Sequence, residues 1–224
     1  MNKFKIKVEY DGSKFVGWQK QDNGNSIQGS IEKAILKLTG EKISLFGAGR
    51  TDAGVHALGQ VAHFEIKKNF SVDSIRDGLN QHLRPLPISI LDAKNVEESF
   101  HARFSANKRY YKYIITNRRA PLTLDLNKSW GVYKKLDIKK MKLESNYFLG
   151  KHNFEAFRSI DCQASSAIKT IDDVKIIKEG EKTIIKVSAK SFLHSQVRIM
   201  VGTLVEIGKG KITKPLKKII ASKD

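Results

Sequence analysis

Near the start of the chain Phe4, Ile6, Val8 and Tyr10 alternate with Lys5, Lys7 and Glu9. A period of two predicts a half-buried strand, which Asp11-Gly12 brings to an end. Ser26 then stands where an N-cap belongs, and Ile27, Ile31, Ala34, Ile35 and Leu38 follow at helical spacing as far as Gly40. Residues 43–46 read as a short strand and 60–66 as another, with Val61 and His63 on one face. Ser71 caps a second helix carrying Val72, Ile75, Leu79 and Leu83, which Pro85 stops, and Ile88, Ile90 and Leu91 open a further strand. Strand, helix, strand, strand, helix, strand is the split βαβ, or ferredoxin-like, order.

The second half begins the same order again. Tyr111, Tyr113 and Ile115 alternate with Lys112 and Ile114, and a helix is expected over 137–149, ending at Gly150. Strands over 174–177 and 184–187 are joined by the hairpin turn Glu179-Gly180-Glu181. A helix from His194 carries Val197, Met200, Val201, Leu204 and Val205 and ends near Gly208, and a short helix follows over 215–221. No final strand follows it. The pattern therefore predicts an α+β protein of two ferredoxin-like halves, residues 1–104 and 105–224. The second half lacks its last strand and leaves an unpaired sheet edge.

Charge narrows the partners. The 224 residues include 41 Lys+Arg against 23 Asp+Glu, a formal net charge of +18. A polyanion is the natural partner, because each neutralised phosphate releases a counterion; the plainer alternative is a Lys-rich solvated surface. Cys162 is the single cysteine, which excludes an intramolecular disulfide and paired-Cys zinc signatures, and a lone Cys is usually a small buried side chain. His56, His63, His82, His101, His152 and His194 show neither HxH nor HExxH spacing, so no metal is expected. No apolar run reaches membrane-spanning length and the first residues lack a signal-peptide core, so the expected location is the cytoplasm, away from membranes.

The candidate chemistry sits in residues 47–57, Gly-Ala-Gly-Arg-Thr-Asp-Ala-Gly-Val-His-Ala, between two predicted strands. An Asp in such a connection ordinarily makes a local turn bond. This connection is longer than a hairpin needs, however, and long loops between strands are often functional. Its glycines allow close approach to a bulky ligand, and Arg50 stands two residues from Asp52. The segment is no phosphate loop, since it lacks the GK[ST] ending.

The stretch from Gly49 to Phe64, GRTDAGVHALGQVAHF, resembles the signature loop of the tRNA pseudouridine synthase A family. The resemblance extends to VEYDG (8–12), FVGWQ (15–19), FHARFSA (100–106), KRYYKY (108–113), HNFEAFR (152–158) and FLHSQVRIMVG (192–202), in the family's order. It implies an enzyme that isomerises uridine to pseudouridine at positions 38, 39 and 40 in the anticodon stem-loop of transfer RNA. It further implies no cofactor or metal, a homodimer, and two halves joined in one mostly antiparallel sheet with helices on one face.

The reaction breaks the bond from ribose C1′ to uracil N1, turns the base and joins C1′ to C5. By resemblance Asp52 is the catalytic carboxylate, which attacks C1′ or removes the C2′ proton. A nearby guanidinium favours its ionised form, and Arg198 resembles the family's buried partner for it. Arg50 is expected to contact RNA as the target base is extruded. Tyr111, first of the Tyr-basic-Tyr pattern Tyr111-Lys112-Tyr113, is expected to stack on the uracil; by periodicity alone it is a core-facing strand residue. Basic pairs Lys67-Lys68, Arg118-Arg119 and Lys134-Lys135 are solvated faces or, in a dimer, a track for tRNA. Family members continue beyond Ser-Lys-Asp with a loop and a final strand. That difference leaves a catalytically weak tRNA-binding or chaperone-like protein as the alternative. A third reading is a hydrolase that releases free uracil.

Overall fold

The computed structural model describes residues 1–22 and 24–222. The chain forms two compact units, Met1–Ala106 and Asn107–Asp224.

In the first unit β1 (Asn2–Tyr10) is followed by a 3-10 turn, α1 (Ile27–Thr39), β2 (Phe46–Gly47), β3 (Ala57–Ile66), α2 (Val72–Leu83) and β4 (Ile88–Asn95). The sheet order is β2-β3-β1-β4 and every pairing is antiparallel. This order, with its element sequence, is that of a split βαβ unit. Both helices begin as their sequences predict. The Ser26 hydroxyl accepts from Gly29 N at 3.1 Å and the Ser71 hydroxyl from Ser74 N at 3.1 Å. Gly40 closes α1 at φ 75°, a conformation that glycine adopts without strain. Phe4, Ile6, Val8 and Tyr10 of β1 pack with Ile27, Ile31, Ile35, Ile75 and Leu79 of the helices. Each such buried side chain contributes about 1.5–3 kcal/mol. The intervening Lys5, Lys7 and Glu9 occupy the opposite face of the sheet.

The strand expected over 43–46 shrinks to Phe46–Gly47. Side chains satisfy the backbone just before it. Glu32 accepts from Leu45 N at 3.0 Å and the Gln28 amide donates to Leu45 O at 3.0 Å. With those groups occupied, Leu45 has no ladder to join.

In the second unit the order is β5 (Arg109–Asn117), β6 (Trp130–Val132), α3 (Ile138–Ser145), β7 (Gly150–Asn153), β8 (Ile168–Glu179), β9 (Lys182–Ala189), α4 (Gln196–Gly208) and α5 (Leu216–Ser222). Its sheet runs β6-β5-β9-β8-β7. Gly180, at φ 55°, makes the β8–β9 turn. The helix expected over 137–149 gives way to a 3-10 turn after Ser145, and α4 starts two residues later than expected because Ser195 is left-handed, at φ 58°.

The resemblance implied a single sheet; within each unit the described strands pair in one ladder. In each, the first long strand already has neighbours on both edges: β3 and β4 beside β1, β9 and β6 beside β5. On the edge of β5 away from β9, β6 pairs in parallel over Ile115–Asn117 only, so among the described strands Arg109–Ile114 have a ladder partner on the β9 side alone. Three residues are too few for a period-two pattern to register, so β6 was not legible. Lys223 and Asp224, the point past which family members are expected to continue into a final strand, lie outside the described residues.

Candidate active site

The segment that carries Asp52 is held at several points of its backbone. At its entrance Ala48 N donates to Val61 O at 2.8 Å, and the Gln60 amide donates to Gly49 O at 2.8 Å. Toward its middle Trp18 N donates to Thr51 O at 2.9 Å, and the Tyr10 and Thr51 hydroxyls lie 2.8 Å apart. Val55 N donates to Asp52 O at 3.2 Å, closing a tight turn with Gly54 at φ 75°. Asp52 itself is half-buried and Arg50 is exposed. A carboxylate on an anchored turn is preorganised, which a reacting group requires.

Close approach explains several of the glycines. A Cβ on Gly12 would stand 2.0 Å from Val55 O, and one on Gly47 would meet the Trp18 ring at 2.6 Å. Gly17 combines φ 114° with a Cβ position 2.7 Å from Thr51 O. The segment around Trp18 then leads into α1, with Ile27 N donating to Gly17 O and Gln28 N to Trp18 O. Tyr10, Gly12, Gly17 and Trp18 are thus the supports that residue-level inspection of the loop missed. The signal for them lay in the VEYDG and FVGWQ blocks. His56 Nδ1 lies 3.1 Å from Asp11 Oδ1 and 3.2 Å from Gly12 N. It accepts from that amide or, when protonated, donates to Asp11, but not both at once.

His63 fixes the next segment of the same unit. Its Nδ1 accepts from Ala102 N at 3.2 Å, and the Phe46 backbone is also bonded to the ring. Burial, then the neighbouring His101 and Lys3, hold the imidazole below the usual histidine value of 6.5. Where the unfolded chain takes up a proton and the folded chain does not, stability rises with pH. His63 therefore contributes fully above about 6.5 and loses its contribution as pH falls through its lowered folded value. Thermal melts at stepwise lower pH are expected to show a falling transition of the first unit below that point. A His63→Gln variant should flatten this dependence; an unchanged slope would remove His63 as its source.

In the second unit Tyr111 lies on β5 opposite Val187, its ring meeting Phe192 edge to face at 5.2 Å. Tyr113, two residues on, packs on the core, and burial raises its phenol while the Arg198 charge opposes that rise. Arg198, in the first turn of α4, is exposed, where the resemblance implied a buried side chain. The buried stripe of α4 runs through Gln196, Met200, Leu204 and Ile207, and position 198 falls off it. Asp52 and Arg50 thus share one loop of the first unit, and Tyr111 and Arg198 share the second unit. Among the described residues no three His, Cys, Asp or Glu side chains gather as a metal site needs, and no helix is long and apolar enough to cross a membrane.

Comparison with known proteins matches both units. A family model described as tRNA pseudouridine synthase matches residues 6–105 and 145–224. A tRNA pseudouridine synthase A of Wolbachia pipientis subsp. Culex pipiens is 53% identical over 210 residues, covering 93% of this chain and 86% of that protein. The protein of the same name from Afipia carboxidovorans is 49% identical over 225 residues, covering 100% and 92%. That from Bradyrhizobium diazoefficiens is 51% identical over 213 residues, covering 95% and 87%. The Asp52 loop lies within the family-model match, the β5 tyrosines lie in the interval between its two matched segments and are covered by the Afipia carboxidovorans relative, and the chain belongs to the tRNA pseudouridine synthase family.

Proposed function

We propose that this chain isomerises uridine to pseudouridine at positions 38, 39 and 40 of the anticodon stem-loop of transfer RNA. The observation that carries the reading is the family match through both units, together with a half-buried Asp52 on a loop fixed by backbone bonds. Asp52 is the carboxylate that acts at the ribose, either at C1′ or on the C2′ proton. In both routes the uracil leaves N1-first, turns within the site and rejoins through C5, whose proton is lost. N1 takes up a proton as C5 gives one up, so product and substrate are isomers with no change of oxidation state, and the chain's own side chains suffice without a cofactor.

Arg50, exposed beside Asp52, contacts the RNA as the target nucleotide is extruded. Tyr111 stacks on the detached base and assists the final proton transfer, and Arg198 supports the carboxylate. The protein acts in the cytoplasm as a homodimer, which sedimentation velocity tests directly. The net charge of +18 supports a polyanionic substrate.

Carbodiimide mapping of an unmodified tRNA transcript tests the reading. Primer-extension stops in the anticodon arm with the wild-type protein, absent with Asp52→Ala, support it. Tight binding without stops favours a tRNA-binding protein, and abasic sites favour a hydrolase. For Tyr111, removal of the hydroxyl alone separates stacking from proton transfer. Tyr111→Phe keeps the ring that meets Phe192 and is expected to bind tRNA within about threefold of wild type. Its single-turnover rate should fall by about a hundredfold or more; an unchanged rate would remove the hydroxyl from the chemistry.

A further inference from the structure

The helix-free face of the first unit's sheet ends in an open run of rings. Phe46 stacks on His63 at 5.2 Å, His63 meets His101 at 4.7 Å, and His101 lies 4.4 Å from Phe104. The run is rooted in the fold at His63 and reaches solvent at its ends. His63 is buried, Phe46 is 48% exposed and Phe104 is 76% exposed.

The outermost ring is not on a loose loop. Phe100 N donates to Glu97 O at 3.0 Å, Ser105 N to His101 O at 2.8 Å, and His101 N to the Ser105 hydroxyl at 3.1 Å. Arg103 N donates to His101 Nδ1 at 3.2 Å, and Ala102 is tied to His63. A segment with this many internal bonds holds Phe104 outward at little further ordering cost when a ligand arrives.

Cations lie beside two of the rings, and the Glu65 carboxylate on the same face is paired with Lys3. The Arg103 guanidinium lies 5.9 Å from the Phe104 ring, and Lys5 Nζ lies 5.7 Å from the Phe100 ring. Lys7 is exposed on the same strand face as Lys5. Open aromatic faces among cations complement a ligand that is both planar and anionic. A nucleic-acid strand has that combination, and base stacking needs no particular base. Phe46 is six residues before Asp52, so its backbone lies within about 22 Å of the reacting carboxylate.

We propose that Phe104, backed by His101 and Phe46, is a stacking platform for an unpaired base of the RNA substrate that flanks the reacting nucleotide. This rests on the reading of the chain as an RNA-modifying enzyme. The platform supplies affinity and register; it does not touch the reacting atoms.

Three variants of the full chain test it against an unmodified tRNA transcript at fixed salt, with dissociation constants and pseudouridine formation measured side by side. Phe104→Ala and Phe104→Leu are expected to weaken tRNA binding about tenfold. Phe104→Trp should bind within about twofold of wild type, and the added indole emission should be quenched as tRNA saturates. Leu binding like wild type would reduce Phe104 to apolar packing and overturn the platform, as would Ala binding within twofold. A change in sedimentation for Phe104→Ala without tRNA would mark the face as a contact between copies of this chain, and would overturn it too. Should the wild-type protein neither bind nor modify tRNA, the functional reading falls with it. A wild type that modifies tRNA beside unaffected variants sinks the platform alone.

Discussion

Asp52→Ala is expected to lower pseudouridine formation by on the order of a thousandfold or more, because in the mechanism proposed above the reaction loses its nucleophile or base outright. The same variant should bind tRNA within a few-fold of wild type and melt within a few degrees of it. The bonds that flank the residue on its own turn use backbone groups: Thr51 O accepts from Trp18 N, and Asp52 O accepts from Val55 N. Neither needs the carboxylate. Single-turnover assays with saturating enzyme, binding isotherms and thermal melts on the same preparations separate the three quantities. Retention of more than about a tenth of the wild-type rate would remove Asp52 from the chemistry.

Gly12→Ala is the second large effect, and it acts without touching a reacting group. Its new Cβ would stand 2.0 Å from Val55 O and 2.7 Å from Val55 C. Both partners are backbone, so no side-chain rotation relieves the overlap; either the turn after β1 or the loop itself must move. Val55 is bonded to Asp52 O, so displacement of Val55 reaches the carboxylate directly. A misplacement of about 1 Å at a reacting group costs about a hundredfold in rate, and that is the expected loss. Overpacking of this kind costs roughly 1–3 kcal/mol of stability, which urea unfolding will register. Gly54→Ala is the contrast. A Cβ there meets nothing within 4 Å, although its φ of 75° still imposes about 1–2 kcal/mol of strain. A Gly12→Ala protein with wild-type turnover would show that the packing of Gly12 against Val55 does not position Asp52.

The sequence was most legible where one physical rule acts alone. Serine caps before apolar helical stripes located α1 and α2, and the alternation in β1 fixed which residues face the core. It was least legible where side chains compete with the ladder. Glu32 and Gln28 satisfy the backbone of Leu45 and so shorten β2, an arrangement between distant residues that no local pattern announces. The three-residue β6 was missed for want of length, and the late start of α4 follows from the positive φ of Ser195, which no local propensity favours. For the site, spacing within 47–57 marked Asp52 only as a carboxylate in a long loop. Its supports from Tyr10 to Trp18 are distant in sequence and became visible through family blocks rather than through periodicity. Arg198 shows the converse: a residue expected to be buried is exposed because the buried stripe of α4 passes it by.

Release of hydrogen from uracil C5 tests the central claim most directly. When C1′ rejoins at C5, the hydrogen on that carbon must leave, whereas hydrolysis or mere binding leaves it in place. A tRNA transcript carrying tritium at C5 of uridine, incubated with the wild-type protein, is predicted to release tritium into water. The release should match mole for mole the carbodiimide-reactive product at positions 38, 39 and 40, and no free uracil should form. Tritium retained in tRNA, or leaving as labelled uracil, would contradict the assignment of this chain as a pseudouridine-forming isomerase acting through Asp52.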